Sequence, residues 1–76
     1  MNISEALKYQ REVNGYTQKQ VAMATGVSQP KLSYYESGRH LPLIDDCIRL
    51  ADFYGITLDE LVGREIIQVQ QAKIKN

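Results

Sequence analysis

The sequence predicts an all-α fold, a compact bundle of five short helices that runs into a C-terminal tail. Three observations predict it. Apolar residues before residue 64 recur at helical rather than alternating spacing. Most of these stretches open on a residue able to cap a helix N-terminus and close on glycine. The connections are tight, and the chain has no repeat and no linker.

Asn2 with Glu5 three residues on can form a capping box, in which each side chain accepts a hydrogen bond from the other residue's backbone. Ile3, Leu7 and Arg11 then follow the helical period, and Asn14-Gly15 ends the helix. Thr17 and Gln20 open a second helix in the same way, with Tyr16 and Val21 spaced as a hydrophobic staple. Thr25-Gly26-Val27 makes a tight turn, and Ser28 caps a third helix that ends at Ser37-Gly38. Val27 and Leu32 repeat the staple spacing. Pro42 precedes a fourth helix, whose apolar positions read as Ile44, Cys47, Ile48, Ala51 and Tyr54, with Gly55 as its stop. Thr57 and Glu60 cap a short fifth helix that reaches about Val62 and ends at Gly63, with Ile56 and Leu61 as its staple. Residues 1–63 are thus expected to form one domain. The tail, residues 64–76, reads either way: Ile67 and Val69 alternate like a strand, while Ile67 and Ile74 are spaced like a helix.

Nine basic residues balance nine acidic ones, which is a poor overall charge for a partner of nucleic acid. The distribution is uneven, however. Residues 1–40 hold five cations (Lys8, Arg11, Lys19, Lys31, Arg39) against three carboxylates, and residues 41–63 hold Arg49 against five carboxylates. No apolar run reaches the roughly 20 residues of a membrane span, and the first residues lack the pattern of a secretory leader, so a cytoplasmic location is expected. One cysteine, Cys47, and one histidine are too few for a disulfide framework or a structural zinc site. Cys47 is expected in the core, and Asp45-Asp46 at the positive end of a helix dipole. The sequence nominates no cofactor, no small-molecule ligand and no membrane partner. It has no nucleophile–base pair and no phosphate-cradling loop. A chain this small is also expected to lack a cleft of about 300 Å³, so an enzyme is the weakest class.

The run from Thr17 through Ala22, Gly26 and Leu32 to Glu36-x-Gly38 resembles the helix-turn-helix of the phage Cro and repressor family, also called the xenobiotic-response-element family. Downstream, Pro42, Ile48, Leu50-Ala51, Gly55-Ile56 and Leu58-Asp59-Glu60-Leu61 resemble the family's fourth and fifth helices, so the likeness spans roughly residues 3 to 63. Physical reasons support these positions independently. A small residue at Ala22 suits two closely crossing helices, Gly26 supplies a positive φ, and Leu32 anchors the second helix of the pair.

The resemblance implies a lambda-repressor-like domain that binds double-stranded DNA and regulates transcription, as a repressor, with helix 29–36 in the major groove. On a helical wheel at about 100° per residue, Ser28, Leu32, Tyr35 and Glu36 share one side. Pro30, Ser33, Tyr34 and Ser37 lie opposite, with Lys31 on a flank and Gln29 at the N-terminal edge. Recognition helices meet base edges through their N-terminal residues, so Ser28, Gln29, Pro30, Ser33 and Tyr34 are the base-contacting set. Gln29 is the leading reader, because its amide can bond both N6 and N7 of adenine. Pro30 offers no side-chain hydrogen bond and biases Gln29 away from helical angles, which thins direct readout. Gln18, Lys19, Lys31, Ser37, Arg39 and His40 form the phosphate-contacting set. Arg11 and Glu36 both point toward the core and are expected to pair at about 2.7–2.9 Å, partly buried. Dimerisation is expected through Leu58, Val62, Ile66, Ile67 and Val69, which have no obvious place inside a five-helix core; the alternative is that the tail folds back or frays. An antitoxin, or a helix-turn-helix used for protein contact, would share the fold.

Overall fold

The computed structural model describes residues 1–64. It consists of α1 (Ile3–Val13), α2 (Gln18–Thr25), α3 (Gln29–Ser37), α4 (Ile44–Tyr54) and α5 (Leu58–Val62). Local chemistry sets most of these boundaries. Reciprocal capping boxes form at Asn2–Glu5, Thr17–Gln20 and Thr57–Glu60, and the Ser28 hydroxyl accepts the Lys31 N–H at 3.3 Å. Leu43, at the N-cap of α4, makes no side-chain cap.

Helix α1 packs on α3 and α5, α2 packs on α3 and α4, and α4 packs on α5. The core gathers Leu7, Val21, Val27, Leu32, Tyr35, Cys47, Leu50, Ala51 and Leu61, with Ile3, Ala22, Phe53, Tyr54 and Ile56 against its rim. Tyr16 leans on Phe53, ring centroids 5.1 Å apart, which closes the α1–α2 connection over the start of the motif. The turn between α2 and α3 depends on Gly26, which adopts φ +82°. A Cβ there would meet nothing within 4 Å, so the requirement is backbone freedom and not space.

The orientation of α4 corrects the reading from sequence. Ile44 and Ile48, expected inside, are exposed, and the buried residues are Asp46, Cys47, Leu50 and Ala51. At about 100° per residue, the buried face is rotated by roughly 70° from the apolar stripe. A carboxylate occupies the interior in place of two isoleucines. Asp46 therefore does more than favour a helix dipole.

Candidate nucleic-acid interface

Two devices set α3 in place and leave its outer face free. Leu32 and Tyr35 sink into the core, while Gln29, Pro30, Lys31, Ser33, Tyr34 and Ser37 are exposed. Pro30 lies in the first turn, where no intrahelical donor is lost. Gln29 is the first residue of the helix despite the bias its proline neighbour imposes.

The first device is an ion pair. The Arg11 guanidinium donates from Nε to Glu36 Oε2 and from Nη2 to Oε1, both at 2.8 Å, and its Nη1 donates to the Tyr16 carbonyl at 2.9 Å. Side-chain exposure is 14% for Arg11 and 6% for Glu36. The Glu36 hydrogen bond raises the Arg11 pKa, outweighing burial. Gln18 joins the cluster, donating from Nε2 to Glu36 Oε1 at 3.1 Å. An amide NH2 has two donors, so one Gln18 proton is left over after the bond to Glu36. Beside the pair lies a polar cleft of about 240 Å³ lined by Lys8, Arg11, Gln18, Ser33, Glu36 and Ser37. Lys8 was not among the residues nominated from sequence. Its position one turn before Arg11, on the helix that meets α3, is the signal that could have found it.

The second device centres on Asp46, 1% exposed. The Tyr35 hydroxyl donates to its Oδ2 at 2.5 Å, Lys31 Nζ approaches the same oxygen at 3.4 Å, and Arg49 Nη1 meets Oδ1 at 3.2 Å. Burial pushes the Tyr35 phenol pKa up, and its bond to Asp46 acts in the same direction. Lys31, nominated for phosphate contact, thus stands beside a carboxylate.

The C-terminal end of α3 brings three nominated residues together. The Arg39 guanidinium lies 5.1 Å from the centroid of the Tyr34 ring, and His40 meets the same ring edge-on at 5.1 Å. Tyr34 therefore groups with two residues assigned to phosphates, at the opposite end of the helix from Gln29. The Ser37 hydroxyl donates to the Tyr34 carbonyl at 3.1 Å. Lys19 is exposed on the first turn of α2, and Ser28, also exposed, accepts the cap hydrogen bond on its hydroxyl oxygen and keeps its own proton.

Of the residues nominated for dimerisation, Leu58 is exposed and Val62 half-buried; Ile66, Ile67 and Val69 lie outside the described residues. A half-open cleft of about 620 Å³, lined by residues that include Met1, Ile3, Leu41, Pro42, Val62 and Gly63, corrects the expectation that the chain is too small for one. The cleft arises because the chain's start, the α3–α4 loop and the end of α5 converge. Those segments are distant in sequence.

A helix-turn-helix family model matches residues 7–61. The transcriptional repressor RstR of a cryptic CTXphi phage in Vibrio cholerae is 41% identical over 64 residues, which cover 84% of this chain and 57% of the relative. The HTH-type transcriptional regulator ImmR of Bacillus subtilis is 32% identical over 65 residues, 86% of this chain and 51% of that protein. The crystal structure of a transcriptional regulator from Listeria innocua is similar at a TM-score of 0.72 and 29% identity, covering 97% of this chain and 74% of the other. The chain spans about half the length of the curated relatives it matches. A Gly26 turn between two short helices, the second held by Glu36 on Arg11, is the motif that the family model covers, and the chain belongs to the helix-turn-helix family of Cro- and phage-repressor-type transcriptional regulators.

Proposed function

We propose that this chain binds double-stranded DNA as a homodimer, places α3 in the major groove, and represses transcription from the sites it occupies. One observation carries the reading: α3 is fixed on its inner side by Leu32, Tyr35 and Glu36 and offers an exposed outer side of Gln29, Ser33 and Tyr34. A rigid helix with an exposed polar face suits base-edge readout, which needs donors and acceptors held in register. Gln29 takes the leading base-reading role at the N-terminal end, with Ser28, Pro30, Ser33 and Tyr34 beside it. Lys19, Lys31, Arg39, His40 and the remaining Gln18 proton supply phosphate contacts, Ser37 joins them once its hydroxyl turns from the Tyr34 carbonyl, and Lys8 adds a cation from α1. The segment of Leu58 and Val62, continued by Ile66, Ile67 and Val69, forms the contact between copies. Dimerisation supplies the selectivity that a single helix reading a few base pairs lacks.

Selection of bound duplexes from a random-sequence pool tests this reading. A palindromic motif with half-sites about 34–36 Å apart is expected, bound with an affinity that falls steeply with salt. No enriched motif and no salt-dependent binding would overturn it.

A further inference from the structure

The base-reading face does not include Asp46, yet the recognition helix is tied to it through two side chains. Helix α3 takes its close packing from α1 and α2, and Asp46 on α4 reaches it through Tyr35 and Lys31. A carboxylate 1% exposed is costly to bury unless hydrogen-bonded and paired, and here it has three partners. They are not equivalent. Tyr35 is buried, whereas the Lys31 and Arg49 side chains are 48% and 55% exposed. Both cations therefore lie partly in solvent, and the Lys31 contact is the longer, at 3.4 Å against 3.2 Å. If Lys31 turns to a DNA phosphate, Arg49 and Tyr35 still satisfy the carboxylate. Lys31 is a cation shared between an internal carboxylate and an external anion, and Arg49 is the reserve that makes sharing possible.

We infer that Asp46 is a positioning residue that sets DNA affinity without touching DNA: by holding Lys31, it lowers sequence-independent phosphate binding and leaves discrimination between sequences to the base-reading face of α3. The inference rests on the DNA-binding reading above. It follows from the different kinds of contact involved. Phosphate contacts raise affinity for every duplex alike, whereas base contacts separate one sequence from another. A restraint on a phosphate-binding lysine therefore lowers affinity for operator and unrelated DNA by the same factor and leaves their ratio unchanged.

The test measures binding of the full chain to a duplex recovered by selection and to a duplex of scrambled sequence, across a salt series. Asp46→Asn keeps the side chain's size and leaves an amide oxygen for the Tyr35 hydroxyl. It is expected to bind both duplexes roughly three- to tenfold tighter at low salt, with a log–log salt slope steeper by less than about one. The ratio between selected and scrambled duplex should stay unchanged. Adding Lys31→Ala to Asp46→Asn should abolish the gain. If Asp46 merely props up the fold, Asp46→Asn weakens both duplexes together and leaves the slope unchanged, and the inference fails. Arg49→Gln, at a half-exposed position, provides an independent arm should Asp46→Asn not fold. With the reserve cation gone, Lys31 is held more tightly, so Lys31→Ala should weaken binding less in that background than in the wild type. An equal loss in both backgrounds overturns the inference. Failure of the wild-type chain to bind either duplex would overturn the DNA-binding reading itself, and the inference with it; wild-type binding without the Asp46 effects overturns the inference alone.

Discussion

Glu36 and Asp46 are two carboxylates removed from solvent beside the same helix, and they are held in different ways. Glu36 is gripped by a two-pronged guanidinium that is itself nearly buried, with Gln18 as a further donor. Asp46 is bonded to a buried phenol and to two cations that remain about half in water. The first arrangement is a fixed clamp: both charges are largely buried, and their remaining bonds, to Gln18 and to the Tyr16 carbonyl, are to neutral groups of the same cluster. The second is adjustable, because either cation can leave while the other stays. The difference teaches that burial of an acid does not by itself define its role; the exposure of its partners does.

The largest effect that would sharpen this contrast is on stability. Arg11→Ala strands Glu36 against α1 and should cost about 3–5 kcal/mol, since removing one partner of a buried pair leaves an uncompensated charge. Denaturant unfolding measures it, and a loss below about 1 kcal/mol would mean that the clamp is no stronger than a surface pair. Asp46→Asn should cost less, about 1–2 kcal/mol, because the Tyr35 hydroxyl keeps an acceptor and the two cations regain water. A cost equal to that of Arg11→Ala would erase the distinction.

Each carboxylate also has a tyrosine nearby, which predicts a weaker effect confined to alkaline conditions. Burial pushes the Tyr54 phenol up to about 12, with the Glu36 charge acting in the same direction, and burial likewise raises Tyr35. Both folded values lie above the unfolded one, so the contribution to stability is full below the unfolded tyrosine value of about 10. For Tyr54 it is lost progressively as pH rises from there toward about 12. Unfolding midpoints of Tyr54→Phe and Tyr35→Phe, measured across this range, should decline less steeply than those of the wild type. Identical slopes would remove the tyrosines from the account.

How much of this was legible in the sequence depended on range. The capping boxes at Asn2, Thr17 and Thr57 are signals three residues long, and the helix starts they mark are where the structure has them. Arg11 could be placed because it continues the Ile3–Leu7 stripe, and Glu36 because it shares a wheel face with Leu32. Asp46 could not. Only Arg49, three residues on, is a local partner; the other two donors, Lys31 and Tyr35, lie fifteen and eleven residues back, and no local period reports them. Assigning Ile44 and Ile48 to the interior followed from hydrophobicity alone and put the wrong face of α4 inward. The convergence of Lys8 with Gln18 and Ser37, and of Tyr34 with Arg39 and His40, likewise depends on tertiary placement.

The smallest effect concerns the helix that carries Asp46. Among the five described helices, α4 is the one whose N-cap makes no side-chain hydrogen bond, because Leu43 stands there. Leu43→Ser should stabilise the fold by about 0.5–1 kcal/mol, read as a higher denaturant midpoint with an unchanged slope. A neutral or lower midpoint would show that exposed Leu43 contributes apolar contact worth as much as the cap.

On the proposed reading, the outer face of α3 reads DNA sequence from its N-terminal end. The most direct measurement is the affinity of wild type and Gln29→Ala for a selected site and for its single-base variants. Gln29→Ala should cost roughly 1–3 kcal/mol on the selected site and lose discrimination at one base pair per half-site. Lys31→Ala and Arg39→Ala should instead weaken all variants alike and flatten the salt slope. An unchanged base preference after Gln29→Ala, with affinity reduced equally for every variant, would contradict the claim.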